Sequence, residues 1–319
     1  MVCSGRCEAE KGHVRPVDAR FSRAYTRRTS QNFAERVPNE MTQAIPHQRD
    51  LAGESWDPGQ YLKFADHRLR PALDLMGRIP LERPRVIYDL GCGSGNVTHL
   101  LAGRWPQADV IGMDNSPEML AQASDSGDSA GSTRVSWEEG DLSGWRPSET
   151  PSIFFSNAVI QWVPDHHELV PRLWSMLPSG GCLAIQAPLS WDMRSHQIMR
   201  ETLENGGATG QPVGSAELRS AVGNRWVQDP DFYYDLLAPE ADHLDVWTTE
   251  YQHVLTGDDA VLEWVTGTGL RPILNGLEDG ERATYLEEYR RRLNLEYPKR
   301  PDGFTLYPFR RLFFVAVRK

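Results

Sequence analysis

Short apolar runs and longer amphipathic segments alternate along most of this chain. A short apolar run bounded by turn residues predicts a buried strand, whereas Pro or Asp ahead of an amphipathic segment predicts the start of a helix. The regular alternation of the two predicts an α/β fold with a doubly wound, mostly parallel sheet. The first five strands are expected at residues 85–90, 110–113, 134–137, 153–156 and 182–186, and the helices between them begin near Asn96, Pro117 and Pro164.

The pattern changes on either side of this core. Residues 57–76 predict one or two helices, the second opened by Pro71, and helical patterns rich in Trp, Tyr and Arg follow residue 187. At the helix after strand four, Asp165 as N-cap and Glu168 three residues later predict a capping box. Two more strands, expected at 244–255 and 312–317, and helices near 258–267 and 279–295 complete a seven-stranded sheet.

Composition and charge narrow the class of protein. The chain has 319 residues, a net charge of −10 and an isoelectric point near 5.4, which argues against binding nucleic acid or an anionic membrane surface. No apolar run approaches the length of a membrane span. Its four cysteines match no zinc or disulfide pattern, so we expect a reducing compartment, the cytoplasm, and no metal.

The first residues differ from the rest. Residues 1–50 predict a variable, disordered extension ahead of a domain at 51–319. The segment 1–40 carries a net positive charge, and Val14–Arg28 is basic and mildly amphipathic. Mitochondrial import through this segment is therefore kept as an alternative to a plain tail, although Glu8 and Glu10 are atypical of import signals.

A glycine-rich turn after the first strand is the strongest candidate for chemistry. Asp89 is followed by three glycines at alternate positions, Gly91, Gly93 and Gly95, and then by a helix. Such a strand–turn–helix binds nucleotide-like ligands in α/β sheets. In a dinucleotide fingerprint the third glycine comes one residue later, where this chain has Asn96, and the carboxylate of Asp89 would repel a pyrophosphate. The loop therefore favours S-adenosylmethionine, whose amine and sulfonium are cationic, over NAD.

Acidic residues stand at or near the ends of three successive strands, about one strand–helix unit apart: Asp89, Asp114 and Asp141. Ligands of open parallel sheets lie across these strand ends, so the three are expected to line one crevice. Asp89 and the loop amides would face the amino-acid part of S-adenosylmethionine, Asp114 the ribose hydroxyls, and Asp141 the adenine amino group beside Leu142. An NAD enzyme would account for Asp114 alone.

With these residues in place, the chain resembles class I S-adenosylmethionine-dependent methyltransferases and, more narrowly, the trans-aconitate 2-methyltransferase family. The resemblance covers about residues 55–319, and its more specific parts are Trp264–Pro272 and Arg311–Phe313. It implies a Rossmann-like fold with cap elements at about 55–80, 188–240 and 257–300, and monomethyl esterification of a small polycarboxylate. The implied cofactor site comprises Asp89, Gly91, Gly93, Gly95, Asn96, Asp114, Asn115, Asp141, Leu142 and Asn157.

A polycarboxylate acceptor requires cationic clamps, for which Arg is best suited. The candidate acceptor residues are Tyr61, Arg70, Tyr233, Trp264, Arg271 and Arg311, with Arg68 as a further arginine. A carboxylate is already ionised at neutral pH, so no catalytic base is expected. Trp162 and His166 are assigned a positioning role, with a helix-start role for His166 preferred over that of a base.

Three readings of the function stay open at this point. The first is methylation of trans-aconitate or a related small acid, and the second is methylation of another acid, including one linked to an acyl carrier. The third is a protein that binds S-adenosylmethionine without catalysis. A monomer or weak homo-oligomer is expected.

Overall fold

A computed structural model describes residues 69–126, 134–206, 210–267 and 269–319. Several predictions concern residues outside this set. They are the extension 1–50 with its import segment and the part of the helical pattern 57–76 that precedes residue 69, which contains Tyr61 and Arg68. Within the described residues, no helix has the length and apolar character needed to span a membrane.

Seven strands form one sheet in the order β3-β2-β1-β4-β5-β7-β6. Strands β1 to β5 are parallel, whereas β7 runs antiparallel between β5 and β6. The prediction of a doubly wound, mostly parallel sheet is confirmed. The strands are β1 (Val86–Leu90), β2 (Asp109–Asp114), β3 (Val135–Glu139), β4 (Ile153–Asn157), β5 (Cys182–Pro188), β6 (Ala241–Leu255) and β7 (Thr305–Arg318).

Helices follow most of the parallel strands and build the segments after β5. Pro lies in the first turn of α1 and of α7, where its missing N–H is not needed by the helix. A short 3-10 helix, Ile160–Trp162, follows β4. The α-helices of the described residues are α1 (Arg70–Met76), α2 (Asn96–Arg104), α3 (Pro117–Ser126), α4 (His166–Met176), α5 (Arg194–Asn205), α6 (Ala216–Val222), α7 (Pro230–Leu237), α8 (Ala260–Thr266), α9 (Arg271–Gly276) and α10 (Asp279–Glu296).

The apolar core has three parts. One sheet face packs on α4 and α7, with Phe154 and Leu173 among its buried residues. The opposite face packs on α1 and α2 through residues such as Phe155 and Leu101. The third part joins α5, α8, α9 and α10 and includes the buried Tyr289. Both faces of the central strands are therefore covered, which explains why successive residues of β1, β4 and β5 are buried rather than alternate ones.

Two local predictions differ from the structure. The last strand begins at Thr305 rather than residue 312, because β7 pairs with β6 along its whole length while Pro308 and two arginines interrupt its apolar pattern. The capping box at the start of α4 is wrong. Asp165 is the N-cap, but its backbone is left-handed (φ 54°) and its side chain forms no cap hydrogen bond.

Candidate active site

The glycine loop, Gly91–Gly95, joins β1 to α2 and is attached to the neighbouring strand β2. The N–H groups of Gly91 and Cys92 both donate to the carbonyl oxygen of Met113, at 2.7 and 2.9 Å. The N–H of Gly93 donates to Oδ2 of Asp114 at 2.8 Å. These bonds fix the loop against the carboxyl end of β2, where a ligand of an open α/β sheet lies.

The loop is packed on both flanks and open in the middle. A Cβ at Gly91 would lie 2.4 Å from the Val159 side chain, and one at Gly95 would lie 2.4 Å from the Trp137 ring. At Gly93, whose φ of +55° favours glycine, no atom lies within 4 Å of a Cβ position. The backbone there is accessible to a ligand, which fits the close approach that a nucleotide-like cofactor requires.

Asp89 lies inside β1 and is buried, with only 2% of its surface exposed. Its Oδ2 accepts a hydrogen bond from the Thr98 hydroxyl at 2.7 Å. Burial raises the pKa of Asp89 to about 7, the nearby charge of Asp114 adds to the rise, and the Thr98 hydrogen bond opposes it. The sequence predicts an ionised carboxylate at this position. Because burial raises the pKa to about 7, the Asp89 carboxyl group is only partly ionised near neutral pH.

The ends of β2 and β3 lie side by side. Oδ1 of Asp114 accepts from the Ser116 N–H at 3.0 Å, and the carbonyl oxygen of Asp114 accepts from the Gly140 N–H, also at 3.0 Å. Asp141 follows Gly140 and is exposed, and a hydrogen bond from the Ser143 N–H lowers its pKa. The ends of β1, β2 and β3 therefore form one edge that carries all three acidic residues.

Other predicted cofactor residues surround this edge. Leu142 is buried, and the Arg172 guanidinium donates to its carbonyl oxygen and to that of Trp145. Asn157 ends β4, and its Oδ1 is buried without a hydrogen-bond partner among the described residues. Asn96 begins α2 and Asn115 follows β2; both are exposed. Their contacts with a cofactor stay predictions.

A cavity of about 700 Å³ lies beside the ends of β4 and β5. We call it the arginine cavity, because four arginines line it and no Asp or Glu does so among the described residues. Its walls come from the segment after β4, the segment after β5, α5, the residues ahead of α7, the segment from α8 to α9, and β7. The four arginines are Arg200, Arg225, Arg271 and Arg311.

Each arginine has a different setting. The guanidinium carbon of Arg200 lies 3.8 Å from the centroid of the Trp191 ring. Arg225 forms ion pairs with Asp229 at 2.5 Å and with Asp192 at 3.7 Å.

Arg311 is only 5% exposed, lies over the Phe309 ring and donates to Oε1 of Gln186 at 3.2 Å. Arg271 opens α9, is exposed, and has no acidic partner within 4 Å in the described part of the chain.

The cavity contains some of the predicted acceptor residues and not others. Trp264, Arg271, Arg311 and the exposed Trp162 line it. Arg70 does not, and its guanidinium carbon lies 5.2 Å from the Tyr251 ring centroid.

Tyr233, another candidate acceptor residue, does not line the cavity. Its side chain is fully buried and stacks on Phe314 with the ring centroids 4.8 Å apart. Because α7 packs this ring against the sheet, the side chain does not reach the cavity.

His166 is buried and uses both ring nitrogens within the protein. Nε2–H donates to the Ile160 carbonyl oxygen at 2.9 Å, and Nδ1 accepts from the Tyr233 hydroxyl at 2.6 Å. Burial also lowers its pKa. His166 therefore has no lone pair to offer as a base. It ties the 3-10 helix that carries Trp162 to α7, which agrees with a positioning role.

Several residues of the arginine cavity were missed by sequence reasoning, among them Arg200, Arg225, His196 and Ala158. The first three come from segments read only as helical, in which the sequence does not say which face turns inward. Ala158 has φ 59°, which is strained for a residue with a Cβ. Arg200 follows the buried Met199 on α5, and an Arg at a helix's apolar boundary is the signal that could have identified it.

Comparisons with known proteins show the family of this chain. A family model described as a methyltransferase domain matches residues 87–181. A trans-aconitate 2-methyltransferase of Azoarcus sp. is 46% identical over 264 residues, 83% of this chain and 99% of the relative. One from Methylobacterium radiotolerans is 42% identical over 264 residues, 82% of this chain and 97% of the relative. Among solved structures, YcgJ of Bacillus subtilis aligns with a TM-score of 0.48 at 13% identity, over 78% of this chain and 98% of that one. The chain belongs to the trans-aconitate 2-methyltransferase family and is an S-adenosylmethionine-dependent methyltransferase.

Proposed function

We propose that this protein transfers a methyl group to one carboxylate of trans-aconitate or of a closely related small polycarboxylate. The observation that carries the proposal is the arginine cavity. Four arginines and no carboxylate line it in the described residues, although the chain as a whole has a net charge of −10. Such a local excess of guanidinium groups suits an acceptor with several carboxylates. The names of the relatives support the same acceptor.

The chemistry asks little of the side chains beyond placement. Bound S-adenosylmethionine supplies an electrophilic methyl group. A carboxylate is ionised at neutral pH, so no residue has to remove a proton. This agrees with His166, whose nitrogens are both occupied. The residues of the cavity hold the acceptor in line and exclude water, and orientation of this kind supplies roughly 7–11 kcal/mol in favourable cases.

We assign the cofactor to the edge formed by β1, β2 and β3. The open backbone at Gly93 accommodates the amino-acid part, Asp89 lies beneath it, and Asp114 accepts from the ribose hydroxyls. Asp141 and Leu142 accommodate the adenine. The unpartnered Oδ1 of Asn157 lies where this edge meets the arginine cavity, so it is available to a donor of the cofactor or acceptor.

On the acceptor side we assign Arg271, Arg311 and Trp264, and we add Arg200 and Arg225. Arg70 and Tyr61 stay predictions from the sequence. We also propose that the enzyme works in the cytoplasm without a nucleic-acid partner, as the acidic net charge and the absence of a disulfide pattern support.

The direct test is an assay with S-adenosylmethionine and a panel of di- and tricarboxylates. The expected result is a monomethyl ester of trans-aconitate, detected by mass, with smaller yields from acids that lack one carboxylate. Transfer only to another class of acid would favour the second hypothesis from the sequence, methylation of another acid such as one linked to an acyl carrier. Tight binding of S-adenosylmethionine without transfer to any acid would favour a non-catalytic protein and overturn the proposal.

A further inference from the structure

His196 lines the arginine cavity from α5, and its ring is hydrogen-bonded to a buried hydroxyl group. Its Nδ1 lies 3.1 Å from the Ser195 hydroxyl, its direct partner, and the Ser195 hydroxyl in turn lies 2.8 Å from the Tyr307 hydroxyl, which reaches the ring only through Ser195. Ser195 and Tyr307 are both fully buried. The three side chains form a short hydrogen-bonded series that ends at the imidazole.

The direction of this series follows from the Tyr307 hydroxyl. In the described part of the chain the one hydrogen-bond partner of that hydroxyl is the oxygen of Ser195. Leaving a buried hydroxyl hydrogen without an acceptor costs about 1–3 kcal/mol, so Tyr307 donates to Ser195. Ser195 then donates to Nδ1 of His196, and the ring hydrogen is carried by Nε2.

The serine cannot easily turn away from this arrangement. Its backbone N–H donates to the Tyr297 hydroxyl at 3.1 Å, and its carbonyl oxygen accepts from the Tyr289 hydroxyl at 3.2 Å. Three tyrosines from α10, the segment after it and β7 therefore hold the start of α5. As a result the orientation of the His196 ring is fixed before any ligand arrives.

The Nε2 edge of His196 faces Gly269, which also lines the cavity. A Cβ at Gly269 would lie 3.1 Å from Nε2, so with a side chain there the imidazole would have to shift by a few tenths of an ångström. This accounts for the glycine at position 269 of the segment Trp264–Pro272, to which the sequence alone assigns no role. Burial and the nearby charge of Arg200 lower the pKa of His196 to about 4, so the ring is neutral at neutral pH.

We propose that His196 is a specificity residue for the acceptor, donating a hydrogen bond from Nε2–H to a carboxylate oxygen. The inference rests on the proposed function, since it requires a carboxylate in the arginine cavity. Its contribution differs from that of the arginines, because a neutral donor orients the carboxylate without forming an ion pair. Ser195 and Tyr307 act through His196 by holding the tautomer.

The first test compares His196→Phe with His196→Gln. Phe keeps the ring and removes the donor, whereas the Gln side-chain amide can place an N–H close to the position of Nε2. We expect Phe to raise KM for trans-aconitate about 10- to 30-fold, as for a lost hydrogen bond to a charged group, with kcat and KM for S-adenosylmethionine within about twofold. Gln should restore most of the acceptor KM. An equal rise in KM for trans-aconitate in both variants, or an unchanged KM in His196→Phe, would overturn the inference.

A second test acts on the same contact from the opposite side and does not depend on how His196→Phe folds. Gly269→Ala should raise KM for trans-aconitate in the wild type and should have little further effect in a His196→Ala background. If the alanine has the same effect in both backgrounds, it obstructs the acceptor directly and the contact is not through His196.

Wild-type enzyme in the same series separates the two proposals. Absence of methyl transfer to any polycarboxylate would contradict the proposed function and this inference together. Methyl transfer by the wild type that is indifferent to His196 would contradict this inference alone.

Discussion

The two halves of the site carry opposite charge. At the ends of β1, β2 and β3, Asp89, Asp114 and Asp141 stand without an ion-pair partner within 4 Å in the described residues. In the adjoining arginine cavity, guanidinium groups are present and carboxylates are absent from the described walls. The local sign of charge therefore follows the ligand that each half suits and not the net charge of the chain. A cationic sulfonium and amine suit the first half, and an anionic acceptor suits the second.

We call the strand ends with Asp89, Asp114 and Asp141 the acidic half. The largest effect that we expect is a loss of folding stability caused by ionisation of the buried Asp89. Because the folded pKa of Asp89 is raised to about 7, the folded state keeps a proton that the unfolded state has lost. Stability therefore falls as pH rises from about 4 to about 7. Asp89→Asn should be more stable than the wild type by about 2–4 kcal/mol near pH 8, and the difference should vanish toward pH 4.

Urea unfolding near pH 8 and near pH 5 measures the effect. Asp125→Asn, a change of the same kind on the exposed α3, serves as the control and should alter stability little at either pH. A difference between Asp89→Asn and the wild type that does not depend on pH would show that Asp89 is an ordinary carboxylate.

The second prediction concerns cofactor affinity alone. Asp114 accepts from the glycine loop and from Ser116, so Asp114→Ala removes a proposed ribose acceptor and loosens the loop. We expect Kd for S-adenosylmethionine to rise about 30- to 100-fold, with less change for Asp114→Asn. Calorimetric titration measures this. Unchanged affinity in Asp114→Ala would show that Asp114 does not contribute to binding of S-adenosylmethionine.

The third prediction concerns the acceptor half. Arg271→Ala or Arg311→Ala should raise KM for trans-aconitate about tenfold or more, with KM for S-adenosylmethionine within about twofold, because each removes a carboxylate partner. Arg290→Ala is the matched control, since Arg290 lies on α10, is paired with Asp259 and lies outside the cavity. Steady-state kinetics with each substrate varied in turn measures both KM values. If neither KM changes, these arginines do not bind the acceptor.

The smallest expected effect is at the junction of the two halves. Ala158 follows β4 in a left-handed conformation at the edge of the cavity. Ala158→Gly should stabilise the protein by about 1 kcal/mol, because glycine adopts this conformation without strain. Thermal unfolding checks this, and Ala221→Gly in α6 should have the opposite sign. Destabilisation by Ala158→Gly would show that the left-handed backbone at residue 158 does not strain the alanine.

The acidic half could be predicted from the sequence almost entirely. Its residues follow strand ends, and a parallel sheet brings consecutive strand ends together whatever the loops do. The arginine cavity could be predicted only in part. Arg271 and Arg311 lie in distinctive segments, whereas Arg200 and His196 depend on how α5 is rotated. Tyr233 has the appearance of a wall residue, yet α7 turns it toward Phe314.

The place of β7 in the sheet has a consequence for biosynthesis. This strand comprises residues 305–318 of a 319-residue chain, yet it lies between β5 and β6. Until those residues have been translated, β5 has an open edge and β6 has no strand to pair with in the described sheet. A nascent chain with such open edges is prone to wrong strand pairing. A stop codon ahead of residue 305 would therefore remove Arg311 and would also leave β6 without its partner strand in the described sheet and β5 with an open edge.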